Sequence, residues 1–201
     1  MIIDITRPIM PGMAVYPGNP EVDFHVVQEA GGNASGLTKL SFGSHTGTHI
    51  DAPSHVMFGA KGVDVYSVEQ MIGSCKVVDL RNVENVITGD DIPGDCGERT
   101  LFVTSNSDST LDVFDDDFVA LDESAATALV RQGVRLVGLD ALSVKKKGVR
   151  DNVHNIFIQA GVVILEGLWM PGIEAGDYEL ICLPLFLVGV DGAPARVVLR
   201  R

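Results

Sequence analysis

Apolar and polar residues alternate with period two along several short stretches of the chain, and this pattern predicts strands. Ile2, Ile3 and Ile5 open one that stops at Pro8 and Pro11. Met13 to Tyr16 is extended, and Pro17-Gly18-Asn19-Pro20 is turn chemistry. Val22 to Val27 alternates until Gly31-Gly32-Asn33 breaks it, and Leu37 to Phe42 alternates again. Further strands are predicted at Cys75 to Leu80, Leu101 to Thr104, Arg135 to Leu139, Val162 to Leu165, Glu179 to Val188 and Ala195 to Leu199. The longest apolar stretch, Leu180 to Val190, contains Pro184 and Gly189. It is too short to span a bilayer and reads as a buried strand pair.

Helical patterns are fewer. Val68 to Ile72 is a short helix candidate. Asp122 is placed as the N-cap of an Ala-rich helix running to Gln132, with Gly133 at its C′ position. Asn152 to Ala160 forms another helix, stopped by Gly161. Helix–strand alternation is confined mainly to the second half. The expected fold is α/β: a single domain over residues 1–201, β-rich at first, with helices packed on a mixed sheet. Local pattern does not encode the strand order.

Composition narrows the classes of function. The chain has 201 residues, 46% of them hydrophobic and 21% charged, an ordinary balance for one globular domain. Its formal net charge of −12 argues against a nucleic-acid or anionic-membrane partner, which a basic face would attract. Asp115, Asp116 and Asp117 lack the ligand spacing of a calcium loop and read as a solvated turn or helix start. Cys75, Cys96 and Cys182 are odd in number and far apart, which fits a reducing cytoplasm rather than a disulfide framework. The N-terminus has neither the basic nor the apolar region of a secretory signal.

The candidate chemistry is concentrated in Ser44-His45-Thr46-Gly47-Thr48-His49-Ile50-Asp51-Ala52-Pro53-Ser54-His55. On an extended chain His45, His49, Asp51 and His55 share one face, while Thr46, Thr48 and Ile50 take the other. Gly47 and Pro53 disfavour the helical alternative. Gly47, lacking a Cβ, is expected to leave room for a metal or substrate. Three imidazoles and a carboxylate crowded together would repel if protonated and be costly if buried unpaired, and a cation removes that conflict. His45, His49 and Asp51 form a ligand set suited to zinc, manganese or iron(II), with a coordination position left for water. Glu166 closes the apolar run Val162-Val163-Ile164-Leu165, where a carboxylate needs a partner if it is buried. By spacing alone Glu166 reads equally as a solvent-facing strand end, and His154 as a helix-surface histidine.

His45-x-Gly47-Thr48-His49-x-Asp51-x-Pro53-x-His55 resembles the signature of the metal-dependent cyclase family that includes bacterial-type kynurenine formamidases. The likeness extends over nearly the whole chain. It takes in Asp4, Tyr16-Pro17-Gly18, Asp140, Ser143, Gly161 to Glu166, and Pro184 to Leu199 with Asp191-Gly192-Ala193-Pro194. The resemblance implies a swivelling β/β/α fold, a homodimer or homotetramer, and a two-metal site, most naturally zinc with manganese as the alternative. His45, His49 and Asp51 would hold the first ion. Asp51 and Glu166 would bridge to the second, which His154 completes. His55 matches the proton donor and acceptor. The implied activity is hydrolysis of a small-molecule amide, N-formyl-L-kynurenine, to L-kynurenine and formate. Where those formamidases carry a tryptophan that packs on the substrate ring, this chain has Tyr16, which can also stack on an aryl group. Ring opening of a cyclic amide such as isatin is the alternative, and a metal-binding module without turnover is a third reading.

Overall fold

Alternation in the central strands puts one set of side chains inside a barrel and the other set against helices. The structure is a computed structural model that describes residues 1–201. Its strands are β1 (Ile2–Asp4), β2 (Asp23–Gln28), β3 (Leu37–Ser41), β4 (His49–Asp51), β5 (Ile72–Asp79) and β6 (Val86–Ile87). They continue with β7 (Arg99–Val103), β8 (Ala120–Leu121), β9 (Leu136–Leu139), β10 (Val163–Glu166), β11 (Gly176–Pro184) and β12 (Gly192–Arg200). The helices are α1 (Val68–Met71), α2 (Glu123–Arg131) and α3 (Val153–Gln159). The molecule is a mixed α/β single domain.

One mixed sheet runs β1-β12-β11-β5-β7-β9-β10-β4, and a further pairing of β4 with β12 closes seven of its strands into a barrel. The block β5-β7-β9-β10 is parallel, and the remaining barrel pairings are antiparallel. Inside lie Ile50, Leu101, Val103, Leu136, Val163, Leu165, Leu180, Ala193 and Val197. Phe102, Val137, Leu139 and Ile164, from the same strands, point outward into a second cluster with Leu129 of α2 and Phe157 of α3. The interior is tight: a Cβ on Gly138 would come within 2.4 Å of Leu101 Cδ2.

Helix α2 follows its sequence signals. Asp122 Oδ1 accepts from the Ala125 amide at 2.8 Å, and Gly133 takes φ +80° beyond the C-terminus. Asp115 to Asp117 form an exposed turn, in which Asp115 Oδ1 accepts from the Asp117 amide at 2.8 Å. The three cysteines are free and buried. No helix is long and apolar enough to cross a membrane.

One expectation needs correction. Leu180 to Val190 is not a buried strand pair: β11 ends at Pro184, and Leu185, Phe186, Leu187 and Val188 form an exposed loop. The residues beyond Pro184 leave the sheet with nothing packed over them, so hydrophobicity alone misjudges the burial. The alternation in β2 and β3 yields a hairpin, but every residue of both strands is exposed, because nothing in the chain covers either face.

Candidate metal centre

The rung that joins β4 to β10 builds the site. Glu166 pairs with His49, Leu165 with Ile50 and Ile164 with Asp51. Paired residues share a face, so Ile50 and Leu165 enter the barrel while His49, Asp51 and Glu166 face outward beneath α3. His154, in the first turn of α3, meets them from above. Its Nε2 lies 3.4 Å from Asp51 Oδ2 and 3.3 Å from Glu166 Oε1.

The extended reading of the His-rich stretch holds only for His49–Asp51. His45 lies in a bend before the strand, and His55 ends a 3-10 turn over Pro53–His55. Bends at residues 44–45 and 47–48 and the 3-10 turn after β4, not strand parity, bring the outer histidines back. His45 Nδ1 is 2.9 Å from Asp51 Oδ1 and its ring stands 4.1 Å from that of His55. Gly47 serves a different purpose from the one expected. It adopts φ +62°, and a Cβ there would meet Ile9 Cγ1 at 3.0 Å and the Arg7 carbonyl oxygen at 3.2 Å, away from the site. Thr48 fixes the turn: its hydroxyl donates to the Gly167 carbonyl at 2.6 Å and accepts from the Arg7 amide at 2.7 Å.

The donor set fits a cation. His45, His49 and Asp51 form one group whose ligand atoms converge, and Asp51, His55 and His154 form another, so Asp51 belongs to both. His49 Nε2 is 3.5 Å from Asp51 Oδ1 and 3.2 Å from Glu166 Oε2. Ligands about 2.0–2.1 Å from a tetrahedral ion stand roughly 3.3 Å apart, close to these separations. His49 Nε2 and Asp51 Oδ2 are buried and make no well-aligned hydrogen bond, with Glu166 Oε2 at 3.2 Å from the first and His154 Nε2 at 3.4 Å from the second. Poorly satisfied polar atoms are costly in a protein interior, and a positive ion among these donors would satisfy them together.

Protons take the cation's place when it is absent. Burial opposes charge on His45 and His154, but hydrogen bonds to the carboxylates prevail: contact with Asp51 raises His45 to about 9, and Asp51 with Glu166 raises His154 to about 10. Burial likewise opposes ionisation of Asp51 and Glu166, yet the histidines hold both below the ordinary carboxylate range, Asp51 strongly. Glu166 also accepts from the Val144 amide at 2.6 Å. His55 behaves differently. Burial, with His45 and His154 nearby, lowers it against the pull of Asp51 and Glu166, which favours the neutral imidazole.

Above the cluster opens a cavity of ≈ 490 Å³ lined by Tyr16, His45, His55, Ser143, His154 and Glu166, among others. That volume suits a small organic ligand. Tyr16 reaches it from the Pro17-Gly18 turn, its ring edge-on to Phe114 at 5.3 Å. Every site residue expected from the sequence therefore lies at one place: His45, His49, Asp51, His154 and Glu166 at the floor, His55 and Tyr16 on the walls.

One neighbour was missed as a site residue. Asp191 Oδ2 is 3.2 Å from His45 Nε2, and Ser44 Oγ donates to its Oδ1 at 2.8 Å. The available signal was a charged residue directly after an apolar run, the same signal that marks Glu166.

Comparison with known proteins places the chain in a family. The Cyclase family model matches residues 3–146. A kynurenine formamidase from Salinibacter ruber is 38% identical over 99% of this chain and 97% of its own length. A solved structure described as a potential metal-dependent hydrolase with cyclase activity superposes with a TM-score of 0.88 at 36% identity, covering 99% of this chain and 96% of the other. Isatin hydrolase A from Labrenzia aggregata shares the fold, with a TM-score of 0.82 at 22% identity over 99% of this chain and 93% of its own. From the family match, the full-length relative and the convergent His/Asp cluster, the chain belongs to the Cyclase family.

Proposed function

We propose that the protein is a metal-dependent amide hydrolase that converts N-formyl-L-kynurenine to L-kynurenine and formate. The observation that carries this reading is the convergence of His45, His49, Asp51 and His154 ligand atoms beside a cavity lined by His45, His55, His154, Glu166 and Tyr16. The 38% identical kynurenine formamidase supports the choice of substrate.

His45, His49 and Asp51 would hold one divalent ion, and Asp51, Glu166 and His154 a second. The nitrogen and oxygen donors favour zinc, with manganese as the alternative. Such a cation supplies a Lewis acid for the amide carbonyl and a water of lowered pKa. Hydrolysis breaks the formyl C–N bond and joins a water oxygen to the formyl carbon. His55 takes a proton from the attacking water and returns it to the leaving amine nitrogen, ending as it began. Its lowered pKa suits the first half of that cycle. Tyr16 offers a ring face or edge to the aryl part of the substrate.

The parallel block β5-β7-β9-β10 with α2 and α3 on its outer face supports assigning the swivelling β/β/α type. Exposed Phe24, Val26, Leu37 and Leu40 on the hairpin support a homo-oligomer in which a second copy covers them. The free, buried cysteines support a reducing, cytoplasmic setting.

Side-by-side assays of zinc-loaded protein on N-formyl-L-kynurenine and isatin test the reading. The formamide is expected to give the larger kcat/KM. A larger value for isatin would move the function to cyclic-amide opening, and bound metal with turnover of neither would leave a metal-binding module.

A further inference from the structure

We propose that Asp191 and Gly192 act together to set the orientation and tautomer of His45, so that His45 meets the metal through Nδ1 while His49 meets it through Nε2. The proposal rests on the metal-site reading above.

Asp191 is held beside His45 by Ser44, whose hydroxyl donates to Oδ1 at 2.8 Å. Its other oxygen lies 3.2 Å from His45 Nε2. A neutral imidazole carries one N–H; both His45 nitrogens face carboxylates, and a cation held at Asp51 would exclude the proton from Nδ1, leaving Asp191 to accept from Nε2–H. With the cation bound, the lone pair would then be on Nδ1, which stands 2.9 Å from Asp51 Oδ1. His49 is fixed from the opposite nitrogen. Its Nδ1 donates to the Gly47 carbonyl oxygen at 3.0 Å, another group that can only accept. Its lone pair is therefore on Nε2, 3.5 Å from the same Asp51 oxygen and 3.2 Å from Glu166 Oε2. The two histidines approach Asp51 from different backbone settings, a bend and a strand, and each has an outer acceptor that turns the correct nitrogen inward.

Gly192 supplies the space. A Cβ at this position would stand 2.7 Å from His45 Cε1, 3.1 Å from its Nδ1 and 2.9 Å from the Ile50 carbonyl oxygen. Residue 192 pairs with Asp51 across β4 and β12, so the clash could not be relieved without moving a ligand strand. Asp191 Oδ2 is also 4.0 Å from His55 Nδ1, beyond hydrogen-bond reach. Asp191 is thus a positioning residue that acts through His45. It also lies in a group with His45 and His55 that could itself ligate a cation, and that rival use would require His45 to bind metal through Nε2.

The two arrangements are separable by ¹H–¹⁵N long-range NMR on the ¹⁵N-histidine-labelled, zinc-loaded protein. The expected spectrum shows His45 protonated at Nε2 and His49 protonated at Nδ1. In Asp191→Ala, zinc affinity measured by chelator competition should fall about 10–100-fold, with circular dichroism unchanged and the His45 Nε2 proton lost to exchange. Asp191→Asn, whose amide oxygen still accepts, should recover part of that affinity. Nδ1 protonation of His45 in the loaded wild type, or unaltered zinc affinity in Asp191→Ala, would overturn the proposal. If Asp191→Ala fails to fold, the wild-type tautomers decide. Failure of the wild type to bind zinc at all would overturn the metal-site reading and the proposal with it.

Discussion

Two pairs of short strands end in opposite surroundings. The rung of β4 and β10 is buried on both faces, between the barrel interior and the layer under α3. The hairpin of β2 and β3 is exposed at every position. β10 comes from an apolar run and β4 from the extended His-rich segment, whereas β2 and β3 come from alternating runs. The difference is what the rest of the chain lays against them. Where water is excluded, His49, Asp51 and Glu166 must satisfy one another or share a cation. Where water remains, Phe24 and Leu40 are merely exposed, and a second chain can cover them.

The strongest way to break this contrast is to remove the shared ligand. Asp51→Ala should abolish the gain in melting temperature from added zinc and reduce hydrolysis to background, a larger loss than the roughly 10–100-fold expected for a supporting group. A zinc-dependent melting shift that persists in this variant would show that the ion sits elsewhere. His55→Ala separates chemistry from metal holding. It should lower kcat about 10²–10⁴-fold while metal content by mass spectrometry stays at the wild-type level. Wild-type turnover would remove His55 from proton transfer.

Packing sharpens the comparison further. Leu165→Ala, in the barrel, should cost about 2–5 kcal/mol in urea unfolding, whereas Leu40→Ala on the hairpin should stay within about 0.5 kcal/mol for the monomer. Leu40→Asp should instead shift the oligomer toward monomer in light scattering. Equal costs for the two leucines would erase the distinction between the regions. The smallest effect concerns pH. Without metal, His45 and His154 are raised to about 9 and about 10, so the stability they add is complete below the unfolded value of 6.5 and is lost as pH rises through 9 to 10. Metal requires neutral imidazoles, so the loaded protein should lose this alkaline decline, and its metal affinity should increase with pH. Parallel melting curves of both forms from pH 6 to 10 would expose the opposite trend.

Much of the site was legible in the sequence because its ligands cluster. His45, His49, Asp51 and His55 fall within one short segment, whereas spacing left Glu166 and His154 open and only the family resemblance placed them with the others. The caps of α2 were legible for a local reason as well, since Asp122 and Gly133 each act within a turn of their own position. What escaped depends on distant pairing. Closure of β4 onto β12 brings Asp191 and Gly192 against His45, and no local pattern records that contact. The role of Gly47 was misplaced because its neighbours, Ile9 and the Arg7 carbonyl, come from the N-terminal segment. The exposed loop Leu185 to Val188 was misjudged because apolar composition states what a segment could bury, not what is present to cover it.

The most direct measurement is an anomalous-difference map from crystals of the purified protein, collected on both sides of the zinc absorption edge. A peak between His49 Nε2 and the Asp51 carboxylate, within bonding distance of both, is the predicted result. A map with no peak at this rung, from protein that hydrolyses the formamide, would contradict the account.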